Sequence, residues 1–260
     1  MDVSRTDQGV YCGTSNVVLP VPNKSYFPPE FRDTTRLHYY GSLFNSVEIN
    51  SSFYKIPMGS TIEKWADDVP ADFRFTFKLW REITHAKELT YTPADIQRFL
   101  QSVGRVGQKK GCLLIQFPAS IKFSYFHQVR KLLADLQIAG LADGWKIAVE
   151  FRDRSWYRDT VYQLLENYAA AIVVHDMPAS STPLMDMKLN FVYLRFHGEN
   201  GDYKGAYSDD FLRKYARNIK EWTDEGKVVF AYFNNTMGEA VHNAGTLNEL
   251  VTLCRDEDKY

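Results

Sequence analysis

The sequence predicts an α/β fold of the TIM class: a (β/α)8 barrel with eight parallel strands, outer helices and a site at the C-terminal mouth. Three observations carry this reading. Eight short apolar runs recur along the chain, helix-like stretches separate most of them, and most end in residues capable of chemistry. In such barrels the loops after the strands build the site, so reactive residues belong at strand ends. The 260 residues suit one barrel of about 250 residues. We therefore read residues 1–260 as a single domain with its core from about Gly9 to Leu250.

The first run, Val10–Thr14, stops at Gly13-Thr14-Ser15. The segment from Asn16 to Pro29 holds four prolines and no helical period. A long irregular loop of this kind is often functional. Tyr39, Tyr40, Leu43 and Phe44 then recur at helical spacing. The second run, Ser46–Ile49, closes at Glu48-Ile49-Asn50. A helix over Ser60–Asp67 follows, with Ser60 or Thr61 as cap, Glu63 as capping-box acid and Pro70 as its stop. Arg74–Lys78 alternates with a period of two. An irregular loop, Leu79–Tyr91, carries Trp80, Arg81, His85 and Lys87. Pro93–Val103 reads as a helix with proline in its first turn.

The fourth run, Gly111–Gln116, is continuously apolar over Cys112–Ile115, as expected of a parallel strand covered by helices. A helix over Tyr125–Leu136 leads to Lys146–Glu150 and then Phe151-Arg152. A helix near Thr160–Tyr168 precedes Ala170–His175, which ends at His175-Asp176. Phe191–Phe196 runs into Arg195-Phe196-His197-Gly198 and a glycine-rich loop. Ser208 or Asp209 caps a helix over Phe211–Thr223. Val228–Phe233 leads to Asn234-Asn235, and the last helix holds Ala240–Leu253.

Composition narrows the function classes. With 31 basic and 32 acidic residues, no global field recruits nucleic acid or a membrane surface. No apolar segment approaches the roughly 20 residues of a bilayer span. The N-terminal residues lack the apolar core of a signal peptide, so a cytoplasmic protein is expected. The three cysteines show no metal spacing, and Cys12 and Cys112 fall inside predicted strands as small buried hydrophobes. There is no P-loop, no GxGxxG after a strand, no GxSxG and no CxxC. Nucleotide-hydrolase, dinucleotide, serine-hydrolase and thiol-redox readings therefore lack support. The sequence specifies no cofactor and no oligomeric state.

Seven pieces, in order, resemble one family. They are CGTS at Cys12–Ser15, FNSVEINSSFY at Phe44–Tyr54, FKLWREITH at Phe77–His85, LLIQFP at Leu113–Pro118, AVEFRDRSW at Ala148–Trp156, YLRFHG at Tyr193–Gly198 and YFNNT at Tyr232–Thr236. Together they look like the DUF72, or YecE-like, family, over nearly the whole chain. The resemblance implies a TIM barrel without an established biochemical activity. One departure stands out. The family commonly continues its first motif as GTSGW, whereas here Asn16 replaces that glycine and the tryptophans are missing.

Residues at the ends of barrel strands converge on one bowl, and that convergence is the reason to read them together. Glu48, Glu150 and His197 are the candidates for acid–base catalysis. Ser15, Asn50, Lys78, Gln116, Arg152, Asp176, Arg195, Asn234 and Asn235 are the candidate ligand-binding set. Arginine forks suit a carboxylate or phosphate, and amides orient a polar ligand. The opposing possibility is that the cations pair internally with Glu48, Glu150 and Asp176, leaving a nearly neutral bowl. His175, His197 and Glu150 are of metal-ligand type but lack the tight spacing of a metal motif.

The expected function is binding or processing of a small polar or anionic ligand at the mouth, with hydrolase or lyase as the reaction class. One alternative is a metal-assisted phosphodiesterase resembling endonuclease IV, in which nucleic acid would be the partner. The other is a non-catalytic ligand-binding barrel. Fold alone does not choose among them.

Overall fold

The computed structural model describes residues 9–140, 144–183 and 188–256. Eight parallel strands form the TIM barrel: β1 (Val10–Thr14), β2 (Ser46–Ile49), β3 (Arg74–Lys78), β4 (Lys110–Phe117), β5 (Lys146–Phe151), β6 (Ala170–His175), β7 (Phe191–Phe196) and β8 (Val228–Phe233). Each strand from β2 onward pairs with the next, and β8 pairs with β1. Six strands begin and end where the apolar runs do. The other two, β4 and β5, extend those runs by one residue at an end or ends.

The α-helices outside the barrel are α1 (Arg36–Leu43), α2 (Ser51–Tyr54), α3 (Gly59–Asp67), α4 (Arg81–Thr84), α5 (Pro93–Val103), α6 (Phe126–Ile138), α7 (Asp159–Asn167), α8 (Asp209–Asp224) and α9 (Ala240–Asp256). Among the described residues no helix stands between β6 and β7, and none is long and apolar enough to cross a membrane. Helix α5 opens with a full capping box, Thr92 with Asp95, which satisfies two otherwise orphan donors. Ser208 caps α8 through Phe211 N–H.

Two local expectations are corrected. Helix α3 begins at Gly59, one residue before its predicted start, with Met58 at the cap position and no side-chain cap. Glu63 is instead drawn to Arg105, 3.1 Å away. The stretch after β3 is also less irregular than its composition suggests, since it holds α4 and a 3-10 turn over Lys87–Leu89.

Side chains alternate between two cores. Phe73, Phe75 and Phe77 are fully buried in the layer between barrel and helices. The barrel interior is a separate cluster of Cys112, Leu114, Ala148, Ala171, Val173, Phe191, Tyr193, Phe230 and Tyr232. Because strand side chains alternate with a period of two, each interior series delivers its last members to the mouth. The series Phe191–Tyr193 continues to Arg195 and His197; Ala148 continues to Glu150 and Arg152. In the same way Thr76 leads to Lys78, Cys112 and Leu114 to Gln116, and Tyr232 to Asn234. The packing rule that fills the barrel therefore also places the site.

The seam between β1 and β2 is closed mainly by side chains. Backbone pairing there is reduced to an isolated bridge, Ser15 with Glu48. Asn45 spans the gap below it: its Oδ1 accepts from Cys12 N–H at 3.0 Å and its Nδ2 donates to Val10 O at 2.8 Å. The Tyr40 hydroxyl does the same one step up, accepting from Thr14 N–H at 2.7 Å and donating to Ser46 O at 3.0 Å. Gly13 is required where the strands converge, because a Cβ there would lie 2.0 Å from Ser46 O. Asn45→Ala would leave one buried N–H and one buried C=O unpaired, each costing about 1–3 kcal/mol. Urea unfolding should then show a loss of about 2–5 kcal/mol, whereas an unchanged midpoint would mean the seam does not depend on this amide.

Candidate functional site

The mouth holds a buried ion network centred on Arg195, which is 2% exposed. Its Nε donates to both oxygens of Glu48 at 3.1 and 3.0 Å, and its Nη2 to Glu48 Oε1 at 2.9 Å. Its Nη1 donates to Glu150 Oε2 at 3.1 Å. One guanidinium therefore lies between both acids, and each acid is fully buried. Glu48 is further saturated by the Ser15 hydroxyl at 2.6 Å and the Tyr193 hydroxyl at 2.6 Å. Glu150 also accepts from Arg152 Nε.

Burial by itself would raise the pKa of both acids. The Arg195 charge and the hydrogen bonds from Arg195, Ser15 and Tyr193 outweigh that for Glu48, holding it below the usual carboxylate range. For Glu150 the charges of Arg152 and Arg195, with smaller help from His197 and His175, hold it well below. Both are ionised acceptors, and the space between them is filled by a guanidinium. Two-carboxylate hydrolysis of a glycosidic bond needs a substrate in that space, so the pair cannot serve in that way as arranged.

His197 is fixed as one tautomer. Its Nε2 accepts from Arg195 Nη1 at 3.0 Å and from Arg152 Nη2 at 2.9 Å. Guanidinium groups only donate, so Nε2 carries the lone pair and Nδ1 carries the proton. That proton faces Asp176 Oδ1 at 3.2 Å, and the same oxygen accepts from His197 backbone N–H at 2.8 Å. Tyr207 holds the other Asp176 oxygen through its hydroxyl while accepting from Gly198 N–H at 2.6 Å. Burial chiefly, and then the neighbouring arginines, push His197 down to about 4 against the pull of Asp176 and Glu150. The ring is therefore neutral at pH 7.

Above this floor lies a partly exposed tier. Arg152 and Asp176 side chains are 13% and 16% exposed. Lys78, at the end of β3, lies with Nζ 4.1 Å from the centre of the Phe53 ring. Its carbonyl accepts from the Ser52 hydroxyl at 2.7 Å, but its amine makes no hydrogen bond or ion pair among the described residues. Burial, then the charge of Arg195, lowers its pKa to about 7 against the opposing pull of Glu150 and Glu48. His85 packs edge-on against the same ring, its centroid 4.7 Å from that of Phe53. Its own pKa is lowered to about 4 by burial and then by Lys78, Arg81 and Arg152. Asn50 is half-buried beside Asn16, whose Oδ1 accepts from Asn50 N–H at 3.1 Å. Gln116 pairs in register with Glu150, and Asn234, 9% exposed, ends the β8 series.

Not every candidate joins the cluster. Asn235 turns away from the mouth and donates to Gly205 O and Asn243 Oδ1, both at 3.0 Å, tying the Gly198–Gly205 loop to α9. His175 is occupied by backbone: its Nε2 faces Phe151 O at 3.0 Å and its Nδ1 accepts from Met177 N–H at 3.3 Å. Among the described residues no three metal-ligating side chains converge, and His197 presents its lone pair to arginines rather than to an ion. Arg81 lies on the surface near Glu82. Trp156 is core, stacked 4.4 Å from Phe151 with its indole N–H on Ile121 O.

Phe53 and Tyr207 carry no site signal in the sequence, and Tyr193 reads there only as a rim or core aromatic, whereas its hydroxyl donates to Glu48. Tyr193 was legible in principle, since it precedes Arg195 by two on the same strand face.

An eight-stranded parallel barrel with an ionic network at its C-terminal mouth defines a TIM-barrel protein with a mouth-centred polar site. The chain belongs to the DUF72 family: the model described as "Protein of unknown function DUF72" matches residues 11–258. The UPF0759 protein YunF of Bacillus subtilis (strain 168) is 26% identical over 266 residues, covering 88% of this chain and 91% of YunF. UPF0759 protein YecE of Escherichia coli (strain K12) is 30% identical over 86 residues, about a third of each chain (33% and 32%). A DUF72 family crystal structure from Thermotoga maritima MSB8 superimposes with a TM-score of 0.77 at 26% identity, covering 94% of this chain and 99% of that one. Another from Enterococcus faecalis V583 gives 0.74 at 21% identity, covering 94% and 95%.

Proposed function

We propose that this protein binds and processes a small polar ligand at the C-terminal mouth of the barrel, by proton transfer at the partly exposed tier. The observation that carries the reading is the buried Glu48–Arg195–Glu150 network. Burying three charges in this way is weak value for stability, because desolvation offsets most of the attraction. A network of this kind placed under an accessible polar tier is better explained by a site it shapes.

The same network supports a neutral, polyhydroxylated ligand over a phosphate or carboxylate. Arg195 is spent on Glu48 and Glu150, and Arg152 on Glu150 and His197. Three carboxylates, with Asp176, face two guanidiniums and one amine, so the bowl is close to neutral. Asn50, Gln116 and Asn234 offer amides that orient hydroxyls. Lys78, able to exchange a proton near neutral pH, takes the role of general base or acid, which the saturated Glu48, Glu150 and His197 cannot take directly. The three free cysteines support a reducing, cytoplasmic setting.

Thermal unfolding against aldoses, alditols, sugar phosphates and small carboxylates tests this. A ligand at about 100 times its Kd stabilises by about 2.7 kcal/mol, a rise on the order of 5–10 °C for a chain of this size. The rise is expected from the neutral sugars and should be lost in Gln116→Ala. A larger rise from phosphates would replace the reading with an anion site, and no rise from any class would end it.

A further inference from the structure

We propose that Lys78 is a nucleophilic amine that condenses with the carbonyl group of a small hydroxylated aldehyde or ketone at the barrel mouth, forming an imine. The inference deepens the reading of the mouth as a polar-ligand site and rests on it. Its basis is the placement of one amine. The Thr76–Lys78 series carries Nζ from the barrel interior to the mouth, where the side chain remains partly exposed. Its immediate neighbour is an aromatic face, Phe53, at 4.1 Å, and no carboxylate lies within ion-pair distance among the described residues.

Burial and the neighbouring Arg195 and Arg152 charges dispose this amine to be uncharged, outweighing the attraction of the Phe53 face for an ammonium, and the uncharged form is the nucleophile. The groups facing Lys78 are Glu48 from β2, Glu150 and Arg152 from β5, Arg195 from β7 and His85 from the segment after β3. Arg195 engages both glutamates directly, so neither is free to hold the ammonium form by contact. The lowered pKa of about 7 agrees with this arrangement. An unperturbed lysine amine in water titrates near 10.4.

The chemistry balances without a co-reactant. The Nζ lone pair adds to the carbonyl carbon, and the carbonyl oxygen takes up a proton to give a carbinolamine. Expulsion of that hydroxyl as water leaves a C=N bond, with both amine hydrogens ending in the water. Such a linkage acts as an electron sink for bond changes at the adjacent carbon, and the mouth amides Asn50, Gln116 and Asn234 would hold neighbouring hydroxyls.

The test uses the four-carbon aldose erythrose with cyanoborohydride, which reduces an imine to a stable secondary amine, followed by peptide mapping by mass spectrometry. At pH 7 the adduct at Lys78 should exceed that at an average surface lysine by about tenfold or more, since the free-amine fraction is far larger. Across pH, the absolute yield at Lys78 should hold above a midpoint near 7 and fall away below it, while its excess over surface lysines should narrow only above that midpoint. Lys78→Arg and Lys78→Met should abolish the preferred adduct, and the pH profile of the unmodified protein stands even where a variant does not fold. Thermal unfolding with erythritol, which has no carbonyl, separates the two levels of inference. Stabilisation by erythritol with erythrose adducts spread over surface lysines would overturn the imine and leave the mouth as a site. Absence of both stabilisation and a preferred adduct would overturn both.

Discussion

Arg195→Met should lower stability by at least about 3–5 kcal/mol, the cost of removing one partner from a buried pair. For a chain of this size that is a fall of roughly 6–20 °C in the unfolding midpoint. The reason lies in the asymmetry of the network. Glu48 and Glu150 are both fully buried, and both are ionised because of the guanidinium between them. Glu48 keeps its hydroxyl donors Ser15 and Tyr193, and Glu150 keeps Arg152, so Glu48 is left the more poorly compensated. The triple variant Glu48→Gln, Glu150→Gln, Arg195→Met removes the three fully buried charges at once, leaving the partly exposed Arg152, and should recover much of the loss, because a buried ion cluster contributes little net stability over neutral groups. Calorimetric midpoints of wild type, single and triple variants decide it. A single variant as stable as wild type would mean that the two acids are not held as a buried ionised pair.

The same comparison bears on function. If the triple variant folds well and no longer responds to neutral sugars, the network exists to shape a site rather than to hold the barrel together. Tyr193→Phe offers a gentler probe, since it deletes one donor to Glu48 Oε2 and leaves the remaining contacts in place.

The barrel was legible because its determinants are local. Runs such as Ala170–His175 and Phe191–Phe196 are apolar on both faces, which is what a strand covered on both sides demands, and their ends survive almost unchanged in the structure. Convergence of Glu48, Lys78, Glu150, Arg152, Arg195 and His197 was legible for the same reason: all stand at interior positions on strand ends. What each charge does there was not. Whether Arg195 meets a ligand or two glutamates depends on neighbours 147 and 45 residues away, and no spacing rule encodes that. Asn234 and Asn235 were indistinguishable in sequence, yet the alternation of faces sends one toward the mouth and the other to α9. The β1–β2 seam was hidden entirely. Tyr40 reads as a core aromatic and Asn45 as a turn residue, and neither bears any local sign of the backbone it bonds across the gap.

Stability should also fall as the pH drops from about 6.5 toward 4, well before ordinary carboxylates titrate. His197 has a pKa near 6.5 in an unfolded chain and about 4 in the fold. Between those values the unfolded chain binds a proton that the folded ring refuses, so acidification favours unfolding throughout that window and adds nothing below it. The full shift corresponds to about 3 kcal/mol, undiminished by solvent because the side chain is 0% exposed. His175, lowered by burial first and then by Arg152 and Arg195 against Glu150 and Phe151 O, works in the same direction. Below pH 4.5 the depressed glutamates take over: their contribution is present above their unfolded value and is lost as pH falls toward their folded ones. His197→Gln keeps an acceptor oxygen for the two arginines and removes the titrating ring. Urea unfolding at a series of pH values should show wild type losing about 3 kcal/mol more than this variant between pH 6.5 and 4. Parallel curves for the two proteins would mean that the ring accepts a proton as readily in the fold as out of it. The lone pair at Nε2 would then not be committed to Arg152 and Arg195, and His197 would return as a direct proton-transfer group at the mouth.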